Sequence, residues 1–207
     1  MTAFAIPSPM SFGLGSLTGE LEALSTRLRR FTVRISTQDS RVGGVGAGIV
    51  WGTTTGALVV TNAHVVPAQR SELVVQTSSG VEVRARVVAR DRERDLAALM
   101  IVEPPDEWPA PATIGDARRL RVGEIVVALG HPLGVDGALS VGVVHAMPNG
   151  DDPLVRANIR LAPGNSGGPL ATLDGEVIGV NCMIARGLGI AIPARVAEAF
   201  VREVLKK

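Results

Sequence analysis

GNSGGPL, Gly164 to Leu170, is the stretch on which the reading of this 207-residue chain turns. A nucleophilic serine needs backbone N–H groups aimed at the charge that develops on an attacked carbonyl. Gly164, Asn165 and Ser166 are the candidates to supply them. Glycine at 164 admits a backbone conformation that a side chain would oppose. Gly167 and Gly168 keep bulk away from the hydroxyl, and Pro169 begins the next strand. Taken alone, the motif also reads as a glycine-rich turn like Gly43-Gly44, so its partners decide.

TNAHVV, Thr61 to Val66, places His64 directly after an apolar run, where an imidazole can act as general base. His131 in LGHPLG and His145 in VVHAM lack that setting. Asp95 opens the apolar run DLAALMIV, and a carboxylate at the mouth of a buried strand can hold an imidazole in one tautomer. Asp91 and Asp116 compete for that role, but neither leads directly into a buried strand. The chain order His64, Asp95, Ser166 separates this arrangement from the Asp–His–Ser and Ser–Asp–His orders of other serine hydrolases.

Around these motifs the chain alternates short apolar runs with turns. FTVRIS (31–36), GAGIVW (46–51), ALVVTN (57–62), ELVVQT (72–77), VEVRARVVA (81–89) and LAALMIV (96–102) predict six strands. Pro104, Pro105, Pro109 and Pro111 then rule out a regular element. EIVVALG (124–130), LSVGVVHAM (139–147), LVRANI (154–159), GPLATL (168–173), VIGVNCMI (177–184) and GLGIAI (187–192) predict six more. ARVAEAFVREVLKK follows as an amphipathic helix with Val196, Phe200 and Val204 on one face. The expected organisation is an N-terminal arm and short helix (1–30, the helix capped by Thr18 with Leu21, Leu24 and Leu28 at helical spacing), a first β-barrel (31–103), a linker (104–116), and a second barrel with the terminal helix (117–207). The fold class is all-β: two packed six-stranded antiparallel barrels, His64 and Asp95 in the first half and Ser166 in the second.

Composition agrees. Hydrophobic residues are 46% and aromatics 3%, with 24 Gly and 13 Pro, a mix suited to short strands and tight turns. A chain this long buries roughly 70% of its unfolded surface without staples. A formal net charge of +1 and the absence of a basic stripe with aromatics argue against nucleic acid as a partner. The densest basic run, Arg84, Arg86, Arg90, Arg92 and Arg94, is interleaved with acids and reads as a solvated strand edge. The single cysteine, Cys182, excludes an intramolecular disulfide and is expected to pack as a small hydrophobe. The first residues lack a secretory leader and no run is long enough to span a bilayer, so a cytoplasmic setting is expected, or a periplasmic one if the N-terminus was trimmed.

TNAHVV, DLAAL, ALGHPLG, GNSGGPL, DGEVIGVN and GIAIPARV resemble the corresponding segments of the Deg/HtrA branch of trypsin-like (chymotrypsin-fold) serine proteases, over roughly residues 30 to 205. The resemblance implies endoproteolysis of unfolded or damaged polypeptides through an acyl-enzyme, with no metal or cofactor. An alternative is a latent protease acting mainly as a chaperone-like binding module. Asn165 stands where zymogen-type relatives carry Asp, so activation by cleavage is not expected. Such proteases often append a PDZ domain, and regulation through one is not expected within this sequence. NIRLAPGNSGG departs from the family's DAAINPGNSGG at Asn158 and Arg160. By the resemblance, Arg160, Leu161, Cys182, Met183 and Ile184 form the substrate-binding pocket. Its apolar walls favour an aliphatic residue before the scissile bond, or an acidic one if Arg160 points inward. Relatives form trimers through N-terminal aromatics, a role open here to Phe4 and Phe12.

Overall fold

The computed structural model describes residues 14–37, 46–53, 56–66, 73–132, 135–148 and 153–206. Helix α1 (Leu14–Arg29) precedes strands β1 (Thr32–Thr37), β2 (Gly46–Thr53), β3 (Gly56–Thr61), β4 (Leu73–Gln76), β5 (Glu82–Asp91) and β6 (Leu96–Ile101). A 3-10 turn (Ala117–Arg119) leads into β7 (Ile125–Gly130), β8 (Ala138–Ala146), β9 (Val155–Asn158), β10 (Pro169–Thr172), β11 (Val177–Ala185), β12 (Leu188–Pro193) and helix α2 (Ala194–Val204). Each set of six strands closes on itself, in the order β1-β2-β3-β6-β5-β4 and, with the same pattern, β7-β8-β9-β12-β11-β10. The chain is therefore two closed antiparallel barrels with a C-terminal helix, the predicted class. Closure leaves no free strand edge in either barrel.

Alternation along the strands builds two cores that share a wall. In β7, Val126 and Ala128 point into the interior of the second barrel, while Val127 and Leu129 join a larger cluster with Val33, Ile49, Leu99 and both helices. The residues between the barrels first hydrogen-bond one and then the other: Ala112 N–H donates to Val50 O at 2.8 Å and Gly115 N–H to Val177 O at 2.9 Å.

Helix α1 begins at Leu14, so Thr18 lies inside it and not at its cap. Leu24 and Leu28 are buried in the larger core and Leu21 packs against it, which anchors the C-terminal turns. Once those turns are fixed, each residue added toward the N-terminus needs no new nucleus. There Ser16 Oγ bonds Glu20 Oε1 at 3.2 Å, one turn away. In α2 the fully buried residues are Ala194, Ala197, Phe200 and Val201, with the expected Val196 and Val204 partly buried beside them. Phe4 and Phe12 lie outside the described residues.

The basic run is not a strand edge. β5 pairs with β4 on one side and β6 on the other. Arg90 donates through both Nε and Nη2 to Ala63 O, at 2.9 and 2.7 Å. Arg94 joins Asp91 to Glu203 of α2 and lies over the Phe200 ring, 5.5 Å from its centre. Among the described residues, no helix is long and apolar enough to cross a membrane.

Candidate active site

His64 sits in the turn that follows β3, and Asp95 closes the turn between β5 and β6. Asp95 has φ +52°, a left-handed conformation uncommon outside glycine. The surroundings over-determine it, as such strain requires. Its carbonyl accepts Asn62 Nδ2 at 3.0 Å and Ala63 N–H at 3.1 Å. Its Oδ1 accepts the His64 backbone N–H at 3.0 Å, and its Oδ2 lies 2.7 Å from His64 Nδ1. A carboxylate facing Nδ1 keeps the proton of a neutral imidazole on that nitrogen and leaves Nε2 as the free base.

Burial pushes the Asp95 carboxyl up, but hydrogen bonds from the His64 ring and the Cys182 thiol outweigh it and hold its pKa below the usual carboxylate value. Asp91 is likewise depressed, first by the Arg94 backbone N–H that it accepts. The alternatives from the sequence fall elsewhere. Asp91 and Asp116 pair with Arg94 and Arg118, His131 is buried against the loop around Gly164, and His145 is exposed on β8.

Ser166 comes from the other barrel, on the loop before β10. Gly164 has φ +104°, and a Cβ there would lie 2.2 Å from His131 O. Gly167 has φ +84°, with Ala47 O only 2.1 Å from where its Cβ would be. Both positions therefore exclude any side chain. Ala47 N–H donates to Ser166 O at 2.8 Å, which ties the loop to the first barrel. The Asn165 N–H is engaged by Ala162 O at 2.9 Å, and its Oδ1 accepts Ala162 N–H at 3.3 Å. Asn165 thus braces the loop from inside, and its N–H is not turned toward the cleft as the sequence reading had it.

His64 and Ser166 line one cavity of about 450 Å³ between the barrels. Ser166 Oγ donates to Cys182 O at 2.9 Å and not to the imidazole. In free enzymes the serine–histidine bond is often long and tightens only with substrate. Leu161, Met183 and Ile184 line the same cavity, whereas Arg160 is exposed and is not among its lining residues. Cys182 also borders it, but its thiol is turned to Asp95 Oδ2 at 3.1 Å. Burial first, and then that carboxylate, pushes the thiol pKa up to about 12. No sequence spacing signals this contact, since it joins residues 87 positions apart. Among the described residues, the ligand atoms that come together as a metal would need are those of His64, Asp95 and Cys182, all within 4.8 Å of one another.

The trypsin-like peptidase domain profile matches residues 46–180. The chain is 32% identical over 213 residues to a "Probable periplasmic serine endoprotease DegP-like" of Pseudomonas fulva, covering 93% of this chain and 43% of that protein. It is 35% identical over 192 residues to "Serine protease Do-like HtrA" of Bacillus subtilis, covering 83% and 41%. It is 34% identical over 181 residues to "Putative serine protease HhoB" of Synechocystis sp., covering 82% and 42%. The chain spans about two fifths of the length of these relatives. With two closed barrels, a histidine–aspartate pair facing a serine across their cleft, and that profile over most of its length, the chain belongs to the trypsin-like peptidase family.

Proposed function

We propose that the protein is a serine endopeptidase acting on polypeptides, with His64, Asp95 and Ser166 as its catalytic residues. The observation that carries this reading is the 2.7 Å contact of His64 Nδ1 with Asp95 Oδ2, on a histidine that shares its cavity with Ser166. His64 Nε2 takes the Ser166 proton as Oγ attacks the scissile carbonyl, and later gives it to the leaving amine. Asp95 stays ionised throughout and stabilises the imidazolium; its depressed pKa suits that role. The N–H groups of Gly164 and Ser166 face the developing oxyanion, with Asn165 as the brace of their loop.

The cavity favours a small or medium aliphatic residue before the scissile bond, because Leu161, Met183 and Ile184 are its apolar walls and Arg160 stands outside. A peptide series with Val, Ala or Glu at that position checks this, and a preference for Glu would overturn it. Unfolded proteins are the substrates we assign, on the likeness to proteins named DegP-like and HtrA. The relative named as periplasmic supports a setting outside the cytoplasm, which fractionation of the source cells tests. A trimer is the assembly we assign from the resemblance, and light scattering of the full chain checks it.

The decisive experiment compares wild type and Ser166→Ala on unfolded casein. Cleavage by wild type alone supports the assignment. Equal cleavage by both overturns it, and cleavage by neither assigns the protein to client binding instead.

A further inference from the structure

The Cys182 side chain has no reacting role in the proposed chemistry, yet it reaches the middle of it. Its Sγ lies 3.1 Å from Asp95 Oδ2, the oxygen that also faces His64 Nδ1 at 2.7 Å. A sulfur, an imidazole nitrogen and a carboxylate oxygen therefore converge, separated by two shared protons. That donor set suits borderline-soft divalent cations such as Zn²⁺ and Cd²⁺ and is poor for Mg²⁺. Four-coordinate zinc with bonds of about 2.0–2.3 Å places neighbouring ligand atoms roughly 3.3–3.6 Å apart. The hydrogen-bonded distances need to open by less than about 1 Å to reach that spacing. The His64 side chain is 48% exposed and that of Asp95 24%, which gives an ion entry and a solvent molecule as fourth ligand.

Resting on the catalytic assignment above, the geometry points to a site for a soft divalent cation formed by His64 Nδ1, Asp95 Oδ2 and Cys182 Sγ, whose occupation switches the serine off. The exchange balances. The cation enters, the thiol releases its proton to solvent, and the imidazole proton moves from Nδ1 to Nε2 as Nδ1 binds the metal. The ion's two positive charges meet one carboxylate and one thiolate, so the buried group ends neutral. The relocated proton is what stops catalysis: an imidazole with Nε2–H cannot accept the Ser166 proton.

Cd²⁺ added to the Ser166→Ala protein tests the site without reference to proteolysis, through the ultraviolet charge-transfer band of a cadmium–thiolate bond. Cys182 is the only cysteine, so any such band reports it. The band should saturate at one equivalent, and Zn²⁺ should compete it away while Mg²⁺ should not. Loss of an outer partner of a metal ligand typically weakens binding about 10–100-fold, so removing a direct ligand with His64→Ala should weaken it at least about tenfold. No band, or a band with unchanged affinity in the His64→Ala protein, overturns the site. On wild type, the Zn²⁺ concentration that competes the band away should also halt casein cleavage, and EDTA should restore it. Cleavage that continues at saturation overturns the switch. If wild type never cleaves but the band behaves as described, the catalytic assignment fails and the cation site stands.

Discussion

In the first barrel, His64 and Asp95 are held by directed hydrogen bonds: Asn62 and Ala63 on the Asp95 carbonyl, Arg90 on Ala63, and the aspartate on both the ring and the backbone of His64. In the second barrel, Ser166 is held by close backbone approach, with Gly164 and Gly167 leaving no room for a Cβ. The first arrangement is a set of separable contacts, each removable with a graded loss. The second is a shape made by missing atoms, and it tolerates no addition. The barrels share a strand order yet fix their parts of the cleft by opposite means.

The largest effect expected is from Ser166→Ala, with kcat falling by roughly six orders of magnitude. That removes the atom assigned as nucleophile and sets the floor for the rest. Asp95→Asn should lower kcat about 10⁴-fold with little change in KM. The amide would donate toward Nδ1 and favour the wrong tautomer. Since its pKa is already depressed, the wild-type carboxylate stays ionised as pH falls to its unperturbed value near 3.8. Its contribution to stability is present above that value and is lost only at lower pH. Acid unfolding followed by circular dichroism should therefore begin later in wild type than in Asp95→Asn as pH is lowered.

Gly164→Ala probes the other barrel. If its N–H faces the oxyanion as proposed, displacing it should cost about 10²–10³ in kcat. If the two means of support differ as described, adding this methyl group should also lower Tm. Unchanged kcat and Tm would show that the loop adapts and the contrast fails. Arg94→Ala should be milder, lowering Tm by about 2–4 °C, the shift that about 1 kcal/mol produces in a domain of this size. The last effect leaves catalysis and stability untouched and is read at Cys182. With the thiol pushed up to about 12, alkylation by iodoacetamide at pH 8 should be far slower in the native protein than in urea. Equal rates would show that burial and Asp95 do not protect it.

Much of this was written locally in the chain. Strands such as LAALMIV and EIVVALG announce themselves because burial on both faces demands unbroken apolar runs. GNSGGPL, TNAHVV and the residue opening DLAAL could be named because each packs its requirement into a few neighbours. What escaped the sequence is what depends on distant partners. A threonine ahead of Leu21, Leu24 and Leu28 at helical spacing reads as a cap at Thr18, yet packing of Leu24 and Leu28 carries α1 back to Leu14. Arg90 and Arg94 looked like surface charge because their acceptors, Ala63 O and Glu203, are 27 and 109 residues away. Asn165 was grouped with its neighbours for the oxyanion, since which of three successive N–H groups points outward is a matter of turn geometry.

The bidentate pairing of Arg94 with Glu203 also has a meaning in time. Ribosomes make chains from the N-terminus, so Arg94 emerges 109 residues before its partner. The turn that presents Asp95 gains its tie to α2 only after β12 has been synthesised. A nascent chain carrying His64 and Asp95 but not yet α2 lacks that one tie, while the bonds from Asn62, Ala63 and His64 are already within reach. Synthesis order itself then postpones the last of the turn's ties until α2 has emerged.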